Sequence, residues 1–266
     1  MWYQMSTSLG LLTGAITSLL DPQEVAQPRY QPTVETTWQI QLQGATNTGY
    51  QADLYILDLF DTPQSVITDL QASGRKVICY FSAGTYEEWR EDEGRFTAAD
   101  KGGQLDNWPG ERWLNTRSTN VRSIMVDRLT LAAEKGCDGV DPDNVDGYSN
   151  QTGFPLTYDS QLDYNRFLFN QAQSMGLAVS LKNDVEQVAD LIDYVDFAVN
   201  ESCHEWQECH RLLPFVEAGK PVFHIDYIYS QDPDGHAIHC QHMNSLDFQS
   251  LTLPWALDDS FRMSCF

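Results

Sequence analysis

Gly136-Cys-Asp-Gly-Val-Asp-Pro-Asp-Asn-Val-Asp-Gly-Tyr148 places four carboxylates, Asp138, Asp141, Asp143 and Asp146, within nine residues. If Cys137 to Asp143 is extended, side chains alternate between faces, so Gly139, Asp141 and Asp143 share one side and Val140 and Pro142 the other. Like charges on one face repel, and crowding raises the proton affinity of one carboxyl beside another that stays ionised. A general acid next to a nucleophile or base needs that arrangement. An acidic surface turn or a calcium loop is the plainer reading of the same string. The EF-hand spacing is not met, because Asp141 and Asp143 are followed by Val145 without the Gly and distal Glu of that loop.

The flanks decide between these readings. Upstream, Val121 to Lys135 carries Ile124, Met125, Arg128, Leu129 and Ala132 at helical spacing and stops at Gly136. Lys76 to Ser82, Ala52 to Phe60 and Trp38 to Leu42 read as strands, and between two of them Thr62-Pro63 opens a helix striped by Val66, Ile67 and Leu70 that Gly74 closes. Downstream, a helix over Leu162 to Met175 precedes a strand at Leu177 to Asn183, and a short helix at Val185 to Ile192 precedes a strand at Tyr194 to Glu201. A helix over Leu212 to Ala218 then leads to a strand at Pro221 to Tyr227. A last helix is expected near Leu246 to Leu251 and an eighth strand at Phe261 to Cys265. Repeated strand and helix units predict a parallel sheet, and eight strands predict an α/β fold of the (β/α)8 TIM-barrel type, one domain over residues 36–266. No glycine motif for a dinucleotide or phosphate points to a doubly wound sheet. Glu87 to Ser118 breaks the rhythm; long and polar, with Trp89, Trp108 and Trp113, it reads as a loop after the third strand enlarged for binding.

Charge narrows the partners. Asp plus Glu number 38 against 16 Lys plus Arg, a net −22, which argues against nucleic acid and anionic membrane and allows a cationic ligand, although many secreted proteins are simply acidic. No run is long enough to span a membrane, and a monomer is expected. Residues 1–35 read as an N-terminal segment: Leu9 to Leu20 is mildly apolar without a basic lead, a signal remnant or a short helix, and Gln27 to Pro32 is a tether. Six cysteines fit an oxidising compartment and hence secretion or the cell surface. Cys203 with Cys209 and Cys240 with Cys265 are expected to pair; Cys79 and Cys137, assigned opposite facings on neighbouring strands, are expected to be free core thiols. Asn150-Gln-Thr152 is a glycosylation acceptor consistent with secretion.

Barrels of this kind gather their active sites at the carboxyl ends of the strands. Those ends here hold Asp58, Tyr80, Asp141, Asp143, Lys182, Asn183, Glu201, Asp226 and Tyr227. Acidic ends on several strands would repel one another unless the cavity they share uses them. A cavity ringed with carboxyls and aromatics suits glycoside hydrolysis: two carboxyls flank the bond, one protonating the leaving oxygen, the other attacking the sugar or activating water.

The chain also resembles glycoside hydrolase family 114, the endo-α-1,4-polygalactosaminidases. The resemblance is carried in order by Trp38-Gln-Ile-Gln-Leu, Tyr55-Ile-Leu-Asp58, Lys76-Val-Ile-Cys-Tyr-Phe-Ser-Ala-Gly84, the Gly136 to Tyr148 stretch, Ser180-Leu-Lys-Asn183 and Val199-Asn-Glu-Ser-Cys203. It implies a barrel, a substrate of α-1,4-linked galactosamine such as galactosaminogalactan, and a catalytic Asp and Glu that match Asp143 and Glu201. Asp141 is the rival nucleophile, with a buried pairing to Lys182 as its plainer role. Asp58, Tyr80, Asp141, Asp146, Lys182, Asn183, Asp226 and Tyr227 are expected to line the sugar sites. Unacetylated galactosamine is a polycation near neutral pH, which a −22 protein would attract. Two alternatives stand beside this reading, a glycosidase for another amino-sugar polymer and a carbohydrate-binding barrel without catalysis. His236, His239 and His242 crowd near Cys240 but fit no standard zinc spacing, so neither metal nor cofactor is expected.

Overall fold

In the computed structural model, which describes residues 29–228 and 232–266, the apolar runs become strands and the periodic segments pack outside them. The parallel strands are β1 (Trp38–Gln41), β2 (Leu54–Asp58), β3 (Lys76–Ser82), β7 (Gly139–Asp143), β8 (Ala178–Lys182), β9 (Phe197–Glu201), β10 (Val222–Asp226) and β11 (Gln249–Thr252), neighbours in that order. The two-residue β12 (Met263–Ser264) runs antiparallel along β11. Between them lie α1 (Gln64–Ala72), α2 (Thr119–Glu134), α3 (Tyr158–Ser174), α4 (Val188–Leu191), α5 (Leu213–Glu217) and α6 (Pro233–Ser245). The first crossover, residues 42–53, carries no helix. The Trp38 indole donates to the Gln249 carbonyl (2.9 Å), and Arg262 donates to the Trp38 carbonyl (3.1 Å) and the Gln39 side chain (2.6 Å). Side chains thereby link the last strands to the first.

Strand parity sorts the core into two layers. Trp38, Ile40, Leu54, Ile56, Ile78, Ala178, Phe197, Val199, Phe223, Ile225 and Leu251 fill the barrel interior. The alternate residues, among them Tyr55, Leu57, Val77, Phe81, Val140, Val179 and Leu181, pack against the helices. The interior layer is apolar at the amino ends of the strands and turns polar toward their carboxyl ends, at Tyr80, Asp141, Ser180 and Lys182. At Gly139 the bore is too narrow for a side chain. A Cβ there would stand 2.6 Å from the Ala178 carbonyl and 2.8 Å from Ile78 Cδ1.

Four expectations change. Cys79 and Cys137 form a disulfide with Cα atoms 6.0 Å apart. The facing argument assumed an extended Cys137, but that residue lies in the turn after α2, its amide bonded back to Ala132 O at 3.0 Å, so strand alternation does not apply to it. The two other expected disulfides, Cys203–Cys209 and Cys240–Cys265, are present. The eighth parallel strand is Gln249–Thr252, and the last helix precedes it at Pro233–Ser245. The buried residues of that helix are His239 and Met243, so it shows no apolar stripe to read. The segment from Arg29 is docked rather than a tether: Arg29 pairs with Asp196 (2.9 Å), and the Lys76 ammonium lies 5.4 Å from the Tyr30 ring centroid. The apolar stretch Leu9 to Leu20 and residues 27 and 28 of the expected tether lie outside the described residues.

Candidate active site

The enlarged segment after β3 folds into a three-stranded antiparallel sheet of β4 (Thr85–Glu87), β5 (Lys101–Gln104) and β6 (Glu111–Leu114). It forms one wall of a cavity of about 440 Å³ at the carboxyl ends of the barrel strands. Glu87, Trp89, Arg90, Trp108, Glu111 and Trp113 come from this wall; Tyr80, Asp143, Lys182, Glu201 and Tyr227 come from the barrel.

Register sets the barrel residues in place. Ser82 pairs with Asp143 across β3 and β7, Lys182 with Val199 across β8 and β9, and Ile225 with Glu201 across β10 and β9. Lys182 sits at the centre, 2% exposed, with its ammonium 3.5 Å from Asp143 Oδ1 and 3.7 Å from Glu201 Oε2. Burial alone would lower its proton affinity, but the charges of Asp143, Glu201 and Asp141 outweigh that and hold it protonated. Each carboxylate has its own donors. The Tyr80 hydroxyl donates to Asp143 Oδ2 (2.8 Å) and the Asn144 amide to Oδ1 (2.8 Å). The Tyr227 hydroxyl donates to Glu201 Oε1, and the Asn183 side chain to Oε2 (3.3 Å). Burial, then the adjacent carboxylate, raises both phenols well above their ordinary range, so they remain donors.

The backbone turns sharply where these strands end. Asn144, Asn183, Asp184 and Ser202 have φ of 59°, 53°, 42° and 62°. Side chains other than Gly adopt this left-handed region at a cost, and three of the four are the Asn or Asp types that tolerate it best. At Asn144 the turn is gripped by the bend just after β3: a Cβ on Gly84 would lie 1.6 Å from the Asn144 carbonyl, so only glycine lets the two backbones meet.

Three expected lining residues have other surroundings. Asp58 reaches the cavity wall, but its oxygens are occupied by Arg90 (2.7 and 3.0 Å) and by the Phe60 and Asp61 amides (2.8 Å each). Asp141 is fully buried one pleat below Asp143; Ser180 donates to its Oδ1, and burial, opposed by Lys182, pushes its carboxyl up to about 6. Asp226 does not line the cavity. It has the parity of Val222 and His224, facing away from the bore, and its Oδ2 lies 3.9 Å from His239 Nδ1 of α6. The strand-end rule counted residues from Pro221, and an Asp one position from Tyr227 necessarily takes the opposite face. Asp146 lines the cavity as expected, its carboxyl pushed up to about 6 by burial and then by the Asp143 charge.

Arg90, Glu87, Glu111 and Trp255 were not anticipated. Glu111 accepts from Thr85 (2.7 Å), and burial pushes its carboxyl up to about 7. Trp255, 58% exposed, stacks on Trp108 with ring centroids 6.2 Å apart and meets Tyr227 edge-on at 4.9 Å, forming an aromatic rim. It lies beyond the last recognisable motif, and a lone tryptophan after Pro254 carries no signal of its own in the sequence.

Other solved structures share this arrangement of strands. Aspergillus fumigatus Ega3, solved as a complex with galactosamine, is 41% identical, with a TM-score of 0.85 over 90% of this chain and 98% of that one. The glycoside hydrolase domain of PelA from Pseudomonas aeruginosa shares the fold at 14% identity, TM-score 0.69, over 86% of this chain and 98% of that one. So does the trehalulose synthase MutB from Pseudomonas mesoacidophila MX-45, at 10% identity and TM-score 0.53 over 72% and 57% of the two chains. No curated protein matches the chain. The sequence profile of glycoside hydrolase family GH114 matches residues 20–265, and the chain belongs to that family of glycoside hydrolases.

Proposed function

We propose that residues 36–266 form an endo-acting hydrolase domain for α-1,4-linked galactosamine polymers, with Asp143 as nucleophile and Glu201 as acid/base. The observation that carries this reading is the meeting of two carboxyls on one buried ammonium, at 3.5 and 3.7 Å, inside a cavity rimmed by stacked tryptophans. Asp143 fits the nucleophile better than Asp141, which lies beneath the cavity floor. Two bonds aim it: the Tyr80 hydroxyl and the Asn144 amide hold its oxygens in one plane. In the first step an Asp143 oxygen bonds to the anomeric carbon, the glycosidic C–O bond breaks, and Glu201 gives its proton to the departing oxygen. In the second, water attacks the anomeric carbon, Glu201 takes its proton, and the sugar–Asp143 ester bond breaks.

The shared Lys182 supports retention of configuration. Its two distances limit the gap between the facing oxygens to at most about 7 Å, which includes the ~5–5.5 Å of retaining enzymes and excludes most of the ~6.5–9.5 Å inverting range. The substrate class rests on charge and kinship. Asp143, Asp146, Glu87, Glu111 and Glu201 outnumber Arg90 and Lys182 around the cavity, the chain carries −22, and the Ega3 relative was solved with galactosamine. Three disulfides support action outside the cell. Incubation of the purified protein with deacetylated galactosaminan tests the reading. Internal cleavage into oligomers with retained anomeric configuration is expected, and Asp143→Asn and Glu201→Gln should each lose at least about a thousandfold in kcat. An intact polymer, or full activity in either variant, would end it; binding without turnover would favour a carbohydrate-binding barrel.

A further inference from the structure

Glu111 belongs neither to the catalytic pair nor, among the described residues, to any ion pair. On β6 it shares a face with Trp113, and the two line the cavity at 7% and 6% exposed. Across β4 it stands directly opposite Glu87, a like-charge pairing that destabilises a sheet. Glu87 has its own cations: Arg90 donates to its Oε1 (2.9 Å) and Arg128 lies 3.5 Å from its Oε2. Arg90 also binds Asp58 (2.7 Å). For Glu111 there is only the Thr85 hydroxyl, which donates to Oε2 (2.7 Å); Oε1 takes no hydrogen bond and is not sealed from the cavity. Burial, opposed by the Thr85 bond and reinforced by the Glu87 and Asp143 charges, pushes the carboxyl up to about 7. A carboxyl nine-tenths buried beside other negative groups, with one oxygen open to a cavity, is a receptor for a cation brought in from outside.

The position of Glu111 narrows the choice of cation. β3, after which its wall grows, neighbours β7 and Asp143, whereas Glu201 stands two strands further round on β9. The Thr85 hydroxyl that holds Glu111 also receives the Asn144 side chain (3.3 Å), and the Asn144 amide holds Asp143 (2.8 Å). In a 2-amino sugar the nitrogen sits on the carbon next to the anomeric one. A group flanking Asp143 therefore stands beside that nitrogen when Asp143 faces the anomeric carbon. We propose that Glu111 Oε1 binds the 2-ammonium of the unacetylated unit lodged against Asp143, and so makes the enzyme prefer free-amine units to N-acetylated ones. The inference rests on the proposed function and names the residue that sets its specificity. A bound ammonium offsets the repulsion between Glu87 and Glu111 and keeps Glu111 ionised, in a site that Trp113 shields from water. An acetamido group carries no charge and leaves the carboxyl uncompensated.

Calorimetric binding of two oligomers of equal length, one fully deacetylated and one fully N-acetylated, to the inactive Glu201→Gln protein tests this. The deacetylated oligomer is expected to bind more tightly. Adding Glu111→Gln should raise its Kd about 10- to 100-fold, equivalent to ~1.4–2.8 kcal/mol, and move the Kd of the N-acetylated oligomer less than about twofold. The amide keeps an acceptor for Thr85 and removes the charge opposite Glu87, so the melting temperature at pH 8 should equal or exceed that of the parent. In the otherwise wild-type enzyme the same exchange should lower kcat/KM on the deacetylated polymer by a like factor. A Kd for the deacetylated oligomer that does not change, or an equal loss for both oligomers, overturns the role of Glu111 while wild-type cleavage of the polymer leaves the functional reading standing. A wild-type protein that neither cleaves nor binds the polymer ends both.

Discussion

Replacing Asp184 by Asn should make the protein more stable at alkaline pH. The carboxyl is 5% exposed and is pushed by burial from 3.8 up to about 9. A folded-state proton affinity above the unfolded one means that the folded protein holds a proton the unfolded chain has released. The resulting stability is complete below about 3.8 and is lost progressively as pH rises through about 9. Within that window each pH unit costs ~1.4 kcal/mol for one group, so from pH 7 to pH 9 the wild type should lose ~2–3 kcal/mol that the Asn variant, with nothing to ionise, keeps. In a domain of this size that is roughly 5–10 °C of melting temperature. Urea unfolding of both proteins at pH 7, 8 and 9 gives the difference directly. Other groups that titrate here, including Lys135 and Lys220, whose ammonium groups burial depresses, are common to both proteins and cancel. The amide keeps an acceptor for Asn165, so the exchange leaves the buried contact at Oδ2 in place. Stability curves that run parallel from pH 7 to pH 9 would show that Asp184 is ionised in the folded protein and would refute the reasoning.

Tyr227→Phe removes the hydroxyl that donates to Glu201 while keeping the ring against Trp255; a charge-assisted bond is worth ~1.5–3 kcal/mol, so kcat should fall about 10- to 100-fold, measured on a defined oligomer. Removing the Cys79–Cys137 bridge, which spans 58 residues, should cost ~4 kcal/mol against ~2 for Cys203–Cys209, which spans 6, so thermal unfolding of the two double Ser variants should show the larger drop for the first. KM for a cationic polymer should rise several-fold between about 20 and 200 mM salt while hydrolysis of a short neutral analogue stays level, because the pull of a −22 chain is screened over ~8–10 Å near physiological ionic strength.

The linear chain was sufficient for much of this. Trp38–Gln41 alternates, and Lys76–Ser82 and Phe197–Glu201 read as short apolar runs, because a strand buried on both faces is apolar whatever its neighbours are. The Gly136 to Tyr148 stretch assigned Asp143 to the cavity side of β7, since parity along one strand is a local property. What failed was non-local or aperiodic. Helix α6 buries His239 and Met243 where a reader of hydropathy looks for Leu, which displaced the eighth strand. Cys137 belongs to a turn, so its bridge to Cys79 depended on how α2 returns the chain to the sheet. Asp58 and Asp226 have the residue type of a site but point at Arg90 and the α6 side, because register and packing decide what each carboxylate meets. Only the folded chain brings Lys182 between Asp143 and Glu201, residues on three strands, and sets Trp255 beside Trp108. Distances between groups far apart in sequence are set by how neighbouring strands pair and the sheet curls, and no periodicity along the chain encodes them.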